Sequence, residues 1–230
     1  MKKETMNEIV LVVVAHSDDE TISMAGTITR HISRGDKVFV VSMTDGVGAR
    51  DSANIDDANS RKVSADTASK ELGFKWGECY DFNDNAMDAY PLIDIVKAVE
   101  KAKNEHKPTL VYTHSCADLN VDHRVVANAV LTAFRPQPSE TCKEIRLFEV
   151  ASATDYGNPA VTGSFVPNLF VDITKNWASK ERALKAYSAE MRDYPHSRSI
   201  EGIKNLAKLR GNQIGYDLAE AFQVIRKVES

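Results

Sequence analysis

The stretch EIVLVVVAHSDDETISMAGTITRHISRG, residues 8–35, decides the architecture. Residues 8–15 are an unbroken, largely β-branched run, the pattern of a central parallel strand covered on both faces. From Glu20 onward the apolar residues fall at helical spacing, and Gly35 supplies a stop. The joint between strand and helix is unusual. It places His16, Asp18, Asp19 and Glu20 within five positions, where strand tips usually turn with Gly, Asn or Ser. Three adjacent carboxylates repel one another unless solvent and salt, a helix N-terminus or a metal ion lies among them.

The rest of the chain repeats the strand–helix alternation. KVFVVSM (37–43) reads as a second buried strand, and a polar, Gly-containing loop follows it. A helix is expected over 57–72 with Gly73 as its stop, then a short strand at 78–82. Pro91 opens a helix over 91–105, TLVYT (109–113) is a strand, 122–134 a helix and 145–150 a strand. This order predicts an α/β fold, Rossmann-like, with a mostly parallel sheet flanked by helices. The tail differs, with two helical patterns, at 175–192 and 200–211, and a candidate closing strand at 220–228. The absence of repeats, low-complexity tracts and long linkers suggests one domain over 1–230.

Bulk properties exclude several classes. A net charge of −4 offers no electrostatic reason for nucleic acid or an anionic membrane as partner. No apolar run approaches a membrane span of about 20 residues. The start, MKKETMNEIV, has no signal-peptide apolar core, and the three cysteines, Cys79, Cys116 and Cys142, are scattered. A cytoplasmic, reducing location is the expectation, with homo-oligomerisation left open.

In open α/β sheets ligands bind at the carboxyl ends of the strands. The polar clusters here fall at five such ends: His16 to Glu20, Thr44 to Arg50, Asp81 to Asp88, His114 to His123, and the segment ASATDYGN. Two histidines and a carboxylate suit a divalent ion that activates water. His16 and Asp19 can converge, and His114 or His123 would complete the set. Asp18 would then stand beside the metal as general base. Taken alone, HSDDE also reads as a helix N-cap with dipole-complementing acids. Arg50, Asp84, Asn85 and Asp88 are candidate sugar-hydroxyl contacts on the rim, with loop solvation as the plainer alternative. Arg124 could meet a phosphate or simply be an exposed helix arginine.

AHSDDE resembles the Ala/Pro-His-Pro-Asp-Asp-Glu signature of the PIG-L (LmbE-like) family of zinc-dependent N-acetyl-sugar deacetylases, and VDHR resembles its second signature, His-Pro-Asp-His-Arg. TDG at 44–46, ELGF at 71–74 and KLRGNQIGYDLAEAF at 208–222 are weaker matches. The resemblance implies His16, Asp19 and His123 as ligands of one divalent ion, Zn2+ with Fe2+ as the alternative, and Asp18 as the base. Two residues depart from the signatures. Ser17 replaces a proline, which removes a backbone restraint but no chemical group. Asn120 replaces a histidine; its amide can donate to an oxyanion but cannot deliver a proton. His114, then His196, are the expected proton carriers, with Asp18 itself as a further alternative; His196 is also a candidate substrate contact, and Asp122 is expected to orient His123 or Asn120. The implied activity removes an N-acetyl group from an amino sugar or its conjugate, such as a sugar nucleotide or polysaccharide precursor. The rivals are an amidase on a sugar–thiol conjugate and a sugar-binding module that has lost turnover.

Overall fold

The structure is a computed structural model that describes residues 7–48, 55–138 and 140–229. Its frame is one seven-stranded sheet ordered β3-β2-β1-β4-β5-β7-β6. The strands are β1 (Ile9–Val14), β2 (Lys37–Thr44), β3 (Lys75–Phe82), β4 (Leu110–His114), β5 (Glu144–Phe148), β6 (Leu169–Asp172) and β7 (Ala219–Lys227). The first five are parallel; β7 pairs antiparallel with β5 and with β6. The helices are α1 (Asp19–Ser33), α2 (Ile55–Leu72), α3 (Leu92–His106), α4 (Val121–Ala133), the single turn α5 (Pro159–Thr162), α6 (Trp177–Ala186) and α7 (Ile200–Asn212).

The aliphatic run of β1 is unbroken because both of its faces are covered. Val10, Val12 and Val14 join a core with α1, α2, α6 and α7, whereas Leu11, Val13 and Ala15 join a second core under α3 and α4. The strand at 220–228 does close the sheet, antiparallel as β7. The edge strand β6 carried no sequence signal of its own. Its four residues are all half-buried, so neither a buried run nor an alternating pattern marks it. β3 starts at Lys75, earlier than the apolar content suggested, because none of the residues of this edge strand is fully buried.

One feature of α1 ties the tail to the site. The helix breaks its regular dihedrals at Met24 (φ −140°, ψ 22°). The amides after the break are capped by a buried carboxylate: Gly26 N donates to Glu220 Oε1 (3.0 Å) and Thr27 N to Oε2 (2.7 Å). Lys180 Nζ, on α6, pairs with the same group at 2.7 Å. A side chain at Gly26 would meet Ile173 at 2.6 Å, so only glycine lets the two approach.

Candidate active site

The sheet order reverses between β1 and β4, and the loops leaving those two strands form the crevice expected at such a switch point. His16 follows β1, Asp19 opens α1, and His123 lies in the first turn of α4. All three are buried. His16 Nδ1, Asp19 Oδ2 and His123 Nε2 face one another at 3.2, 3.3 and 3.3 Å. Donors held roughly 2.0–2.1 Å from a tetrahedral ion stand about 3.3 Å apart, so these three fit one face of such a site. Their surroundings favour positive charge. Burial opposes protonation of His16, yet contacts with Asp122, Asp19 and Asp84 raise its pKa well above the usual histidine value. His123 is likewise pushed up to about 9, burial being outweighed by Asp19 and Asp118.

Each ring also has a carboxylate at its outer nitrogen, the arrangement that orients metal-bound histidines. His16 Nε2 lies 3.2 Å from Asp122 Oδ2, and His123 Nδ1 lies 3.1 Å from Asp118 Oδ2. Asp122 is held in turn by the backbone amides of Asn85 (2.6 Å) and Met87 (3.0 Å). Asp118 accepts from Asn120 N (2.9 Å) and Thr154 Oγ1 (2.8 Å).

The three acids at the start of α1 meet three different environments. Asp19 lies among the histidines. Glu20 is fully buried, and burial pushes it up to about 8; its Oε1 accepts from Thr21 Oγ1 (2.7 Å) and Tyr187 Oη (3.2 Å). Asp18 occupies the N-cap position but makes no side-chain capping bond. Its Oδ1 instead meets Arg61 Nη2 at 2.9 Å. Arg61, buried on α2, also pairs with Glu190 Oε1 (2.8 Å) and donates through Nε to Ser17 O (3.0 Å). Asp18 Oδ2 is buried and has no hydrogen-bond partner among the described residues; Arg198 Nη1 lies 3.9 Å from it. Burial raises the Asp18 pKa, against the pull of Arg61. The N-cap reading of HSDDE therefore does not describe what this carboxylate touches.

Other expectations meet a different arrangement. His114 is fully buried, its Nε2 accepts from Ala15 N (2.9 Å), and its ring stacks on His123 at 3.9 Å. Burial and His123 depress its pKa well below the usual value. The ring thus backs His123, with Nε2 also 3.5 Å from Asp19 Oδ2. Asn120 caps α4 by accepting from Asp122 N (2.8 Å), which leaves the Nδ2 hydrogens as its donors. Asp84 sits inward of the rim position expected for it, with Oδ1 3.1 Å from His16 Nε2. Asn85, at positive φ (56°), and Asp88 are exposed. Arg124 donates through Nη1 to the Asp118 and Leu119 carbonyls (2.7 and 2.6 Å), which ties it to the loop before α4. His196 is half-buried and accepts at Nδ1 from Arg198 N (3.0 Å), so its proton resides on Nε2. Arg50 lies outside the described residues. Sequence reasoning overlooked Asp118, Arg61, Glu190 and Arg198. Only Asp118, within HSCADLNVDH, lay close enough to a signature to be noticed.

Comparison with known proteins gives a family and a fold. The family described as "PIG-L: GlcNAc-PI de-N-acetylase" matches residues 11–134, more than half the chain. Among solved structures, the N,N′-diacetylchitobiose deacetylase from Pyrococcus horikoshii is 22% identical, covering 95% of this chain and 84% of that one, with a TM-score of 0.77. The 4-carboxy-2-hydroxymuconate hydratase GalB from Pseudomonas putida KT2440 is 21% identical over 98% of both chains, TM-score 0.76. The A40926 pseudoaglycone deacetylase Dbv21 is 20% identical over 98% of this chain and 100% of its own, TM-score 0.73.

Proposed function

The chain belongs to the PIG-L family, and from that premise we propose that it is a metal-dependent hydrolase that removes an N-acetyl group from an amino sugar or its conjugate. The observation that carries the reading is the triangle of His16, Asp19 and His123 with a non-capping Asp18 next to it in the chain. These three residues would hold the ion, Zn2+ by the nitrogen-rich donor set. When bound, it supplies Lewis acidity toward the acyl carbonyl and lowers the pKa of nearby water. Asp18 takes the proton of the attacking water on Oδ2, the oxygen that Arg61 leaves unpaired. Asn120 donates from Nδ2 to the carbonyl oxygen as charge develops there. The amine leaves after taking from Asp18 the proton that Asp18 received from the water; His196 Nε2–H is a candidate substrate donor, and His114, which backs His123, remains the alternative proton carrier. Asp84, Asn85, Asp88 and Arg50 remain candidates for sugar hydroxyls, Asp84 foremost because it reaches His16.

The test is a primary-amine release assay with metal-loaded protein on N-acetylated monosaccharides, sugar nucleotides and glycosides, including a sugar–thiol conjugate. Metal-dependent release from at least one class is the expected result. No release from any of them would favour a binding module. A hydratase of similar fold gives a second reading, addition of water to a conjugated carboxylic acid. Loss of ultraviolet absorbance from a muconate-type substrate, without amine release, would establish it.

A further inference from the structure

A second concavity lies away from the strand ends, on the face of the sheet that α1 covers. Its volume is about 310 Å³. Its walls are the C-terminal half of α1, the middle of β4 and β5, strand β6 and the turn before β7. Three guanidinium groups border it: Arg30 and Arg34 from α1 and Arg146 from β5. Such convergence is costly in a chain whose net charge is −4, unless something negative answers it.

The answer within the protein is partial. Arg146 donates through Nε to Glu144 (2.7 Å) and through Nη1 to Tyr112 Oη (2.5 Å). Arg34 pairs through Nη2 with Asp36 (2.9 Å). Arg30 donates Nη1 to the Asp172 carbonyl (3.0 Å); its charge also favours the Asp172 carboxylate, which lines the cavity but accepts its own hydrogen bonds from Thr174 N (2.9 Å) and Oγ1 (2.6 Å). The wall is also rigid. Asp36, His31, Tyr112 and Arg146 form one hydrogen-bonded chain, with His31 Nδ1 2.7 Å from Asp36 and Nε2 2.9 Å from Tyr112 Oη. Held in that way, the Arg146 guanidinium loses little freedom when an anion arrives, the exposed Arg30 can swing to meet it, and a planar fork suits tetrahedral oxyanions. Tyr216, half exposed at the same cavity, offers an aromatic face beside the anion.

We propose that this cavity binds the phosphate group of a small phosphorylated metabolite, with Arg30 and Arg146 as the principal contacts. The volume lies at the lower end of small-molecule sites, which suits a phosphate ester of a few carbons. Phosphate could also bind a metal at the catalytic centre, so the test must separate the two. Metal-loaded protein and Asp19→Ala are titrated calorimetrically with inorganic phosphate and with glycerol 3-phosphate at constant ionic strength. One phosphate per chain should bind in both proteins. Arg30→Gln and Arg146→Gln should each weaken it about 10-fold or more, the scale of one lost charge-assisted bond. Arg30 hydrogen-bonds only to a backbone carbonyl, so Arg30→Gln keeps the test valid if Arg146→Gln fails to fold. Arg182→Gln, a surface control, should leave affinity unchanged. The inference is overturned if Asp19→Ala abolishes binding, if Arg30→Gln binds as well as the parent, or if no phosphate-specific heat is seen with either anion.

Discussion

At Asp18 and Asn120 a helix-capping position and a catalytic role compete, and the structure divides them. Asp18 does no capping, and Arg61 keeps Glu190 and the Ser17 carbonyl when the Asp18 charge is removed, so the fold should survive the change. Asp18→Asn should keep its metal, by elemental analysis, and lose about 10²-fold or more in turnover. Turnover near the parent rate would reduce Asp18 to a partner for Arg61. Asn120 does cap, so its two roles need separate variants. Asn120→Ala should lose about 1 kcal/mol of stability together with turnover. Asn120→Ser keeps an acceptor for Asp122 N but removes the amide donor; its melting temperature should hold while turnover still drops about 10²-fold. If Asn120→Ser is fully active, the second signature serves only to deliver His123. The candidate donors His16, Asp19 and His123 were legible because they stand in short motifs. Arg61 and Glu190 were not, since an arginine in mid-helix and a glutamate in the tail become partners of Asp18 only through folding.

Elements are joined here by buried polar groups as well as by apolar packing. Glu220 of β7 caps the continuation of α1 beyond its break, and Lys180 of α6 neutralises it. Both side chains are nearly inaccessible. Lys180→Met would leave that carboxylate unpaired, and chemical denaturation should show a loss of about 3–5 kcal/mol. Adding Glu220→Gln should recover part of it, because the amide keeps an acceptor without the charge; no recovery would mean that Lys180 acts by packing alone. His31 links α1 to β2 and β4 through Asp36 and Tyr112. Burial depresses its pKa below the usual 6.5. The unfolded chain therefore binds this proton more readily than the folded one. The contribution is complete above about pH 6.5 and is lost as pH falls from there through the depressed folded value. Melting temperature should decline more steeply between pH 6.5 and 5 in the parent than in His31→Gln, and equal slopes would dismiss the effect.

For the whole molecule, the three candidate metal donors come from the end of β1, the start of α1 and the start of α4. An ion held there ties together both sides of the switch point. Chelation should lower the melting temperature, and at a free metal concentration about 1,000 times Kd the ion adds about 4 kcal/mol. Asp19→Ala should melt identically with and without chelator; a persistent shift would place the ion elsewhere. By itself the sequence determined the parallel core, because a strand buried on both faces must be aliphatic throughout, and that signal survives without neighbours. It also singled out His16 and Asp19 as candidate donors with His114 or His123 as the third, because ligand chemistry restricts residue type at close spacing, and the resemblance to the PIG-L signatures chose His123. Only the tertiary structure decided that β6 exists, since a half-buried edge strand leaves no pattern, and that His114 stacks on His123. It likewise decided that Asp118 backs His123, and that Asp18 turns from the helix cap to a buried arginine on α2. Those outcomes depend on which groups meet across loops far apart in the chain, and burial then sets the charge each can carry.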